Sequence, residues 1–324
     1  MQHAQNNFEM GRRQFLSRLG SFAFATALAP AFVGCSEDNH LEKIVGNYGR
    51  VIYQRNPDAP TQVYILGMQH QSLDEMGKKS TDEKALLSQL AVYRIGQRLI
   101  SSKDLNLILE EGAPYTPEAA KTDPSLTLER AFDQTHGKDA RKALGKMDDK
   151  AMLEVLGKPM KYQDDRAVVH DLGYPNGEVL LKINYSTVEV NGVDDQESSE
   201  AQIMLQKAAR ARPELVGSKD FWKVFNHLTD NRSVAMLENV STYFKGRNSL
   251  MPVGLLHLSA MIKFVETGSV NIPGFTAEID GKKFPFAPIV SKLRAENGLG
   301  YNFIVPNIFD SEDLKKMDLG RFAR

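Results

Sequence analysis

The hydrophobic pattern along the chain alternates between short apolar runs and longer segments with helical spacing. Residues 62–67 form a β-branched and aromatic run that ends in glycine, and residues 83–100 carry apolar side chains at roughly helical intervals. A second apolar run, residues 105–109, leads into Glu110 and Glu111. Strand, helix and strand in this order predict a βαβ unit, whose two strands must be parallel.

The same alternation continues through the second half of the chain. The further predicted elements are a strand over residues 186–193 that leads into Asp194, helices over 197–212 and 220–244, a strand over 252–256 that enters His257, a helix over 258–267 and a strand over 301–305. Together they predict an α/β fold with a central, mostly parallel sheet and helices on both faces.

Residues 113–178 interrupt this pattern because they are polar and weakly periodic. Five prolines are scattered through them: Pro114, Pro117, Pro124, Pro159 and Pro175. We interpret the segment as short helices that form a cap or lid over the sheet. The predicted organisation is a leader over residues 1–34, a linker over 35–48 and one α/β domain over 49–324 that contains this cap.

The leader is predicted from an apolar stretch over residues 19–33 that contains no charged side chain. The stretch is shorter than the roughly 20 residues that span a bilayer. With Arg12 and Arg13 before it, this part of the chain resembles a twin-arginine signal peptide, and the small residues that end at Cys35 resemble a bacterial lipobox. The resemblance implies export to the periplasm and attachment to the membrane through a lipid on Cys35.

The amino-acid composition excludes several classes of function and of functional site. The chain has 324 residues, 42% hydrophobic and 25% charged, which is ordinary for a soluble globular protein. Its 40 basic and 41 acidic side chains give a formal charge of -1, without the basic excess of a nucleic-acid-binding domain. A single cysteine excludes an intramolecular disulfide, a CxxC motif and a multi-cysteine metal site. The chemistry must therefore come from histidine, carboxylate, hydroxyl or arginine side chains.

Two G-x-x-H tetrads, one ending at His70 and the other at His257, lie at the ends of predicted strands. Glu110 and Asp194 follow two other strands, and the carboxyl ends of parallel strands share one edge of a sheet, where ligands of open α/β folds bind. Two imidazoles with one or two carboxylates are the ligand set of a divalent metal ion such as Mn, Zn, Co or Fe. They equally suit a base that activates water.

Arg232 falls on the apolar face of the predicted helix over residues 220–244. A buried guanidinium requires an anion, and Glu110 or a substrate carboxylate would supply one. A structural ion pair and a side chain that reaches out to solvent are the alternatives.

These residues together resemble a known superfamily. The strand ending at His70, the strand ending at Glu110, the segment N-R-S-x-x-M around Arg232 and the segment V-G-L-L-H-L-S-A-M-I around His257 look like the Tiki/TraB, erythromycin-esterase and ChaN-like haem-uptake superfamily. The resemblance covers most of residues 60–267. It implies that His70, Glu110 and His257 converge at one edge of the sheet, with Arg232 nearby.

The superfamily includes proteins that resemble metal-dependent peptidases, esterases that use a histidine-activated water and lipoproteins that bind haem. We therefore expect an exported hydrolase that acts on a small molecule or peptide. The alternative is an uptake lipoprotein that binds haem or metal without turnover, in which a tyrosine facing the cavity would ligate haem. The tyrosines available for that role are Tyr64, Tyr93, Tyr115 and Tyr174.

Three further histidines, His136, His170 and His227, are interpreted as structural or solvated. The sequence contains no G-x-S-x-G, H-E-x-x-H or G-x-x-x-x-G-K-[ST] motif, so nothing in it favours a serine hydrolase, a zincin or a P-loop ATPase.

Overall fold

The computed structural model describes residues 40–69, 82–103, 105–114, 125–279, 282–293 and 298–322. The fold is α/β, with a central, mostly parallel sheet flanked by helices, as the sequence predicts. The helices are α1 His40–Val45, α2 Glu83–Lys103, α3 Ser125–His136, α4 Lys138–Ala143, α5 Asp149–Leu156, α6 Gly177–Asn184, α7 Gln196–Ala211, α8 Lys219–Tyr243, α9 Leu255–Thr267 and α10 Ser311–Lys316. The strands are β1 Gly49–Arg55, β2 Thr61–Met68, β3 Leu107–Pro114, β4 Met160–Gln163, β5 Val169–Gly173, β6 Glu189–Asp194, β7 Ser249–Gly254, β8 Ser269–Ile272, β9 Phe275–Ile279, β10 Lys282–Phe286, β11 Ile289–Lys292 and β12 Leu299–Pro306.

The main sheet has six strands in the order β1-β12-β2-β7-β3-β6. Neighbouring strands from β12 to β6 are parallel, and β1 pairs antiparallel with β12 at one edge. The antiparallel edge strand was not predicted from the sequence.

The two faces of the sheet carry separate cores because alternate residues of each strand point to opposite sides. Tyr64 and Leu66 of β2 pack with α2 and α6, whereas Val63 and Ile65 pack with α8 and α9. β2 is followed by α2 on one face, and its neighbour β7 is followed by α9 on the other. Adjacent strands that lead to opposite faces leave a crevice at their carboxyl ends, which is where ligands of open α/β sheets bind.

Residues 113–178 include the predicted short helices and also a hairpin, β4–β5, that the sequence analysis missed. Phe132, Leu144 and Leu156 from these helices belong to the same core as α2 and α6. The described part of the cap therefore extends the core on the α2 face of the sheet.

Strands β8 to β11 form a long two-part hairpin, here called the arm, that lies outside the main sheet. Phe275 and Phe286 of the arm contact His227 in the first half of α8 and help to form a third hydrophobic cluster with α7. The arm thus covers the part of α8 that precedes Arg232.

The predicted leader and Cys35 lie outside the described residues. In the part of the chain that the structure describes, no helix has the length and hydropathy needed to cross a bilayer.

Candidate functional site

Strand β3 ends in a bulge beside β6. Glu110 pairs with Gly192 and the next pair is Pro114 with Asp194, so residues 111–113 lie opposite the single residue 193. Gly112 has a φ of 87° within this bulge, a left-handed conformation that favours glycine. Its backbone N–H donates a hydrogen bond of 2.8 Å to Oδ2 of Asp194. Bulges of this kind redirect side chains next to functional sites.

The bulge begins at the second of two adjacent glutamates, Glu110 and Glu111, which lie on opposite faces of the sheet. Leu107 and Leu109 pack in the core with α8 and α9, whereas Ile108 packs in the core with α2 and α6. By the same alternation Glu111 faces α8 and α9, and Glu110 faces α2.

Glu110 was predicted to lie with His257 and Arg232, but in the structure Glu111 makes those contacts instead. Glu110 lies on the other side of the sheet, where burial raises the pKa of its carboxyl group.

The carboxylate of Glu111 contacts two hydrogen-bond donors and one imidazole nitrogen. Its Oε1 accepts from Nη2 of Arg232 at 2.9 Å and lies 3.1 Å from Nε2 of His257. Its Oε2 accepts the backbone N–H of Gly254 at 2.5 Å. Gly254 is the N-cap of α9, so the carboxylate lies at the positive end of a helix dipole, which favours its charged form.

Arg232 connects Glu111 to Asp194. Its Nε lies 3.0 and 3.1 Å from the two carboxylate oxygens of Asp194, its Nη2 lies 2.5 Å from Oδ2, and its Nη1 donates to Gln202. Burial alone would lower the pKa of the guanidinium, but the hydrogen bonds and charges of Asp194 and Glu111 outweigh it and raise that pKa. The anions that the sequence analysis required for Arg232 are thus these two side chains, and every guanidinium nitrogen has a protein acceptor.

His257 lies in the first turn of α9, where the sequence analysis expected the end of a strand. Its ring is 4% exposed, with Nδ1 2.8 Å from the hydroxyl of Ser233 and Nε2 facing Glu111. We call Glu111, Asp194, Arg232 and His257 the buried cluster. The side chains of Glu111 and Asp194 are 8% and 0% exposed, so ion pairing in the cluster is shielded from solvent.

The side-chain atoms of the buried cluster that could ligate a metal ion are not arranged to hold one. Both oxygens of Asp194 accept hydrogen bonds, from Arg232, from Gly112 and from the backbone N–H of Asp195. The guanidinium also places a positive charge beside both carboxylates. Among the described residues no group of three histidine, cysteine or acidic side chains is placed to hold a metal. His70 lies outside the described residues, so its part in a metal site, and its distance from His257, stay predictions.

Asp230 is a titratable residue near the cluster that the sequence analysis missed. It lies in α8, one turn before Ser233, and burial raises the pKa of its carboxyl group to about 6 while the charges of Lys263 and His257 oppose the rise. The sequence offered no signal for it, because an aspartate three residues from a serine in a helix is ordinary.

The other candidate residues lie away from the cluster. His227 packs against the arm, His170 stacks on Tyr162 in the β4–β5 hairpin, and His136 packs against Phe132. Of the described haem-ligand candidates, Tyr64 and Tyr93 are 2% and 0% exposed within the core, and Tyr174 is partly buried just after the β4–β5 hairpin. Tyr115 lies outside the described residues.

Two surface depressions of about 480 and 420 Å³ occur among the described residues, beside α1–α2 and beside α3–α4. Neither is lined by a member of the buried cluster. The candidate site is therefore identified from the contacts among its side chains and not from either of these depressions.

Comparison of the chain with protein-family models, with curated proteins and with solved structures finds no match.

Proposed function

We propose that the protein is an exported hydrolase, peptidase- or esterase-like, in which His257 and Glu111 carry the proton transfers. The observation that supports this most is the 3.1 Å contact between Nε2 of His257 and Oε1 of Glu111, at the carboxyl edge of a mostly parallel sheet. An imidazole paired with a carboxylate is a unit that takes a proton from water and returns it to a leaving group.

The rest of the buried cluster holds this pair in place. Arg232 and the N–H of Gly254 fix the carboxylate of Glu111, and Asp194 anchors Arg232. Two carboxylates face one guanidinium, so uptake of one proton by the His257–Glu111 pair brings the cluster to electroneutrality. A buried site that becomes neutral when the proton arrives stabilises the charge that develops as water attacks the substrate.

In this proposal Arg232 is a positioning residue. Its three nitrogens are occupied by Asp194, Glu111 and Gln202. It therefore fixes the Glu111 carboxylate, and these protein groups take the place of the substrate carboxylate that the sequence analysis offered as a partner for Arg232.

The experiment is a hydrolysis assay on a panel of carboxylic esters and short peptides with the purified mature protein. His257→Gln should reduce turnover of any substrate that the wild type cleaves by roughly 10²- to 10⁴-fold, the usual contribution of a general acid or base. His227→Gln is the matched control, because His227 is a buried histidine that packs against the arm. Equal turnover by the wild type and His257→Gln would contradict the proposal.

Uptake of haem or a metal without turnover remains the alternative. It predicts a haem absorption band or a stoichiometric metal in protein isolated from its native host, together with no hydrolysis of the panel. The absorption spectrum and metal analysis of that preparation separate the two functions.

We also propose that the chain is exported by a twin-arginine signal and attached to the membrane through a lipid on Cys35. The sequence pattern of residues 11–35 supports this, and none of those residues is among the described ones.

A further inference from the structure

The hydroxyl of Ser233 lies between His257 and a backbone carbonyl. Its Oγ is 2.8 Å from Nδ1 of His257 and 2.6 Å from the carbonyl oxygen of Thr229, one turn earlier in α8. Ser233 is 0% exposed, so solvent water does not compete for either contact.

A serine hydroxyl has only one hydrogen to donate. The shorter contact is to the carbonyl of Thr229, which is the usual acceptor for a serine within a helix. A carbonyl oxygen can only accept, whereas a ring nitrogen can either donate or accept. The arrangement that satisfies both contacts has the hydroxyl donating to Thr229 and accepting from a protonated Nδ1 of His257.

A proton on Nδ1 determines what the other ring nitrogen can do. In the neutral imidazole, Nε2 then carries a lone pair, and this atom faces Oε1 of Glu111 at 3.1 Å. Two acceptors at that distance are favourable only once a proton lies between them. The pair is thereby set to take up a proton.

We propose that Ser233 is a positioning residue that holds His257 in the Nδ1–H tautomer and so makes the His257–Glu111 pair a proton acceptor. The effect of Ser233 on catalysis rests on the proposed function, but the effect of Ser233 on the tautomer of His257 does not. Ser233 is not a nucleophile in this scheme, because its hydroxyl is buried in the middle of α8 and both of its contacts are to protein groups.

Hydrogen bonds of Gln202 help to fix the position of Ser233 relative to the ring of His257. Gln202 of α7 donates to Oγ1 of Thr229 and accepts from Arg232, so the same glutamine contacts both the turn of α8 that carries the carbonyl and the cation that holds Glu111. The ring of His257 is therefore fixed from its Nδ1 side and from its Nε2 side by one connected network.

The test is nitrogen NMR of the histidine rings in ¹⁵N-histidine-labelled protein at about pH 8–9, where an ordinary imidazole is neutral. The signal of His257 is assigned from its loss in His257→Gln. We expect the wild type to show a protonated Nδ1 and an unprotonated Nε2. Ser233→Ala should move the proton to Nε2, because Glu111 is then the stronger remaining acceptor.

Ser233→Thr should restore the wild-type spectrum, since a threonine hydroxyl in a helix can also bond to the carbonyl one turn earlier. Ser241→Ala is the matched control: Ser241 is a buried serine of the same helix whose hydroxyl bonds to the carbonyl of Glu238. A wild-type spectrum with the proton on Nε2, or an unchanged spectrum in Ser233→Ala, would overturn the proposal.

The consequence for catalysis is measured on the same variants. Turnover should fall by roughly 10- to 10⁴-fold in Ser233→Ala, the upper bound being the effect of a wrong tautomer in a serine protease, and recover in Ser233→Thr. Unchanged turnover in Ser233→Ala would overturn the positioning role. If the wild type hydrolyses nothing, the proposed function fails while the NMR result still decides the tautomer.

Discussion

At the scale of single residues, Arg232 decides how the buried cluster is held together. Its side chain is 10% exposed and pairs with Glu111 and Asp194. Removing one partner of a buried pair leaves an uncompensated charge, so we expect Arg232→Ala to lower the free energy of unfolding by about 3–5 kcal/mol. Arg232→Lys keeps the charge but loses the fork geometry and should lie between that variant and the wild type.

Urea unfolding measures both variants of Arg232. Arg247→Ala is the control, because Arg247 pairs with Glu189 at the surface, where the two side chains are 31% and 60% exposed. A surface pair contributes about 1 kcal/mol or less. If Arg232→Ala destabilises the protein no more than Arg247→Ala does, the buried ion pairs do not hold the cluster.

Asp230 makes stability depend on pH. Burial raises its pKa from 3.8 to about 6 in the folded protein. As the pH rises from about 4 to about 6, the unfolded chain therefore loses this proton first, and the folded state becomes less stable over that window. Asp230→Asn removes this dependence and should be more stable than the wild type at neutral pH by on the order of 2 kcal/mol.

Unfolding free energies measured across that pH range test this prediction. Asp139→Asn is the control, because the side chain of Asp139 is fully exposed. A wild type and an Asp230→Asn variant with parallel stability profiles between about pH 4 and 7 would contradict it.

The sequence pattern did not predict which of the adjacent residues Glu110 and Glu111 faces the buried cluster. Alternation of apolar and polar residues tells which face of a strand is buried, but β3 is buried on both faces and its first residues are all apolar. No pattern then reveals which glutamate faces Arg232. The contact depends on the strand's position between two cores, which the sequence does not encode locally.

At the scale of elements, the bulge at the end of β3 aims Glu111 at His257. Gly112 holds a φ of 87° there, and a Cβ would meet nothing within 4 Å. Gly112→Ala should lower stability by about 1 kcal/mol through backbone strain and should also reduce turnover, because relief of the strain displaces the adjacent glutamate.

Gly246→Ala is a closely matched control for Gly112→Ala. Gly246 has a φ of 83° and equally open space, but it lies in the turn between α8 and β7. Thermal unfolding should show similar losses for the two variants, and only Gly112→Ala should lose turnover. Equal turnover in the two variants would show that the conformation of the bulge does not affect catalysis.

The boundaries of β7 and α9 show why one element was predicted wrongly. The apolar run 252–256 reads as a strand that continues to His257, but β7 ends at Gly254 and α9 begins at Leu255. The helix has no side-chain cap from its own sequence. The carboxylate of Glu111 accepts a hydrogen bond from the N–H of Gly254 instead, so the start of α9 is set by a residue of β3, which lies beside β7 in the sheet but far from it in sequence.

At the scale of the whole molecule, the fold class was predictable because alternating strands and helices with short connections allow few topologies. The mostly parallel sheet with helices on both faces is confirmed. The antiparallel edge strand β1 and the arm were not predicted. Their strands are only partly buried, so their patterns carry little hydrophobic signal.

The proposed leader over residues 1–34 gives a prediction for the whole chain. Arg12→Lys together with Arg13→Lys should trap the precursor in the cytoplasm, because paired guanidinium groups are the feature that resembles the targeting signal. Cell fractionation and immunoblotting measure this. Undiminished periplasmic accumulation of the double variant would contradict twin-arginine export.

Cys35→Ser tests the lipid anchor separately. It should release the mature protein from the membrane fraction without preventing export, since the cysteine thiol is the proposed site of lipid attachment. Continued membrane association of this variant would contradict the anchor.

If the chemistry takes place on the Glu111 side of β3, two adjacent substitutions must differ in their effect on turnover. Glu111→Gln and Glu110→Gln change the same atoms at neighbouring positions on opposite faces of the strand. Measured as kcat/KM on any substrate that the wild type cleaves, Glu111→Gln should lose roughly 10²- to 10⁴-fold, while Glu110→Gln stays close to the wild type. Loss of activity in Glu110→Gln with activity retained in Glu111→Gln would place the chemistry on the opposite face of β3.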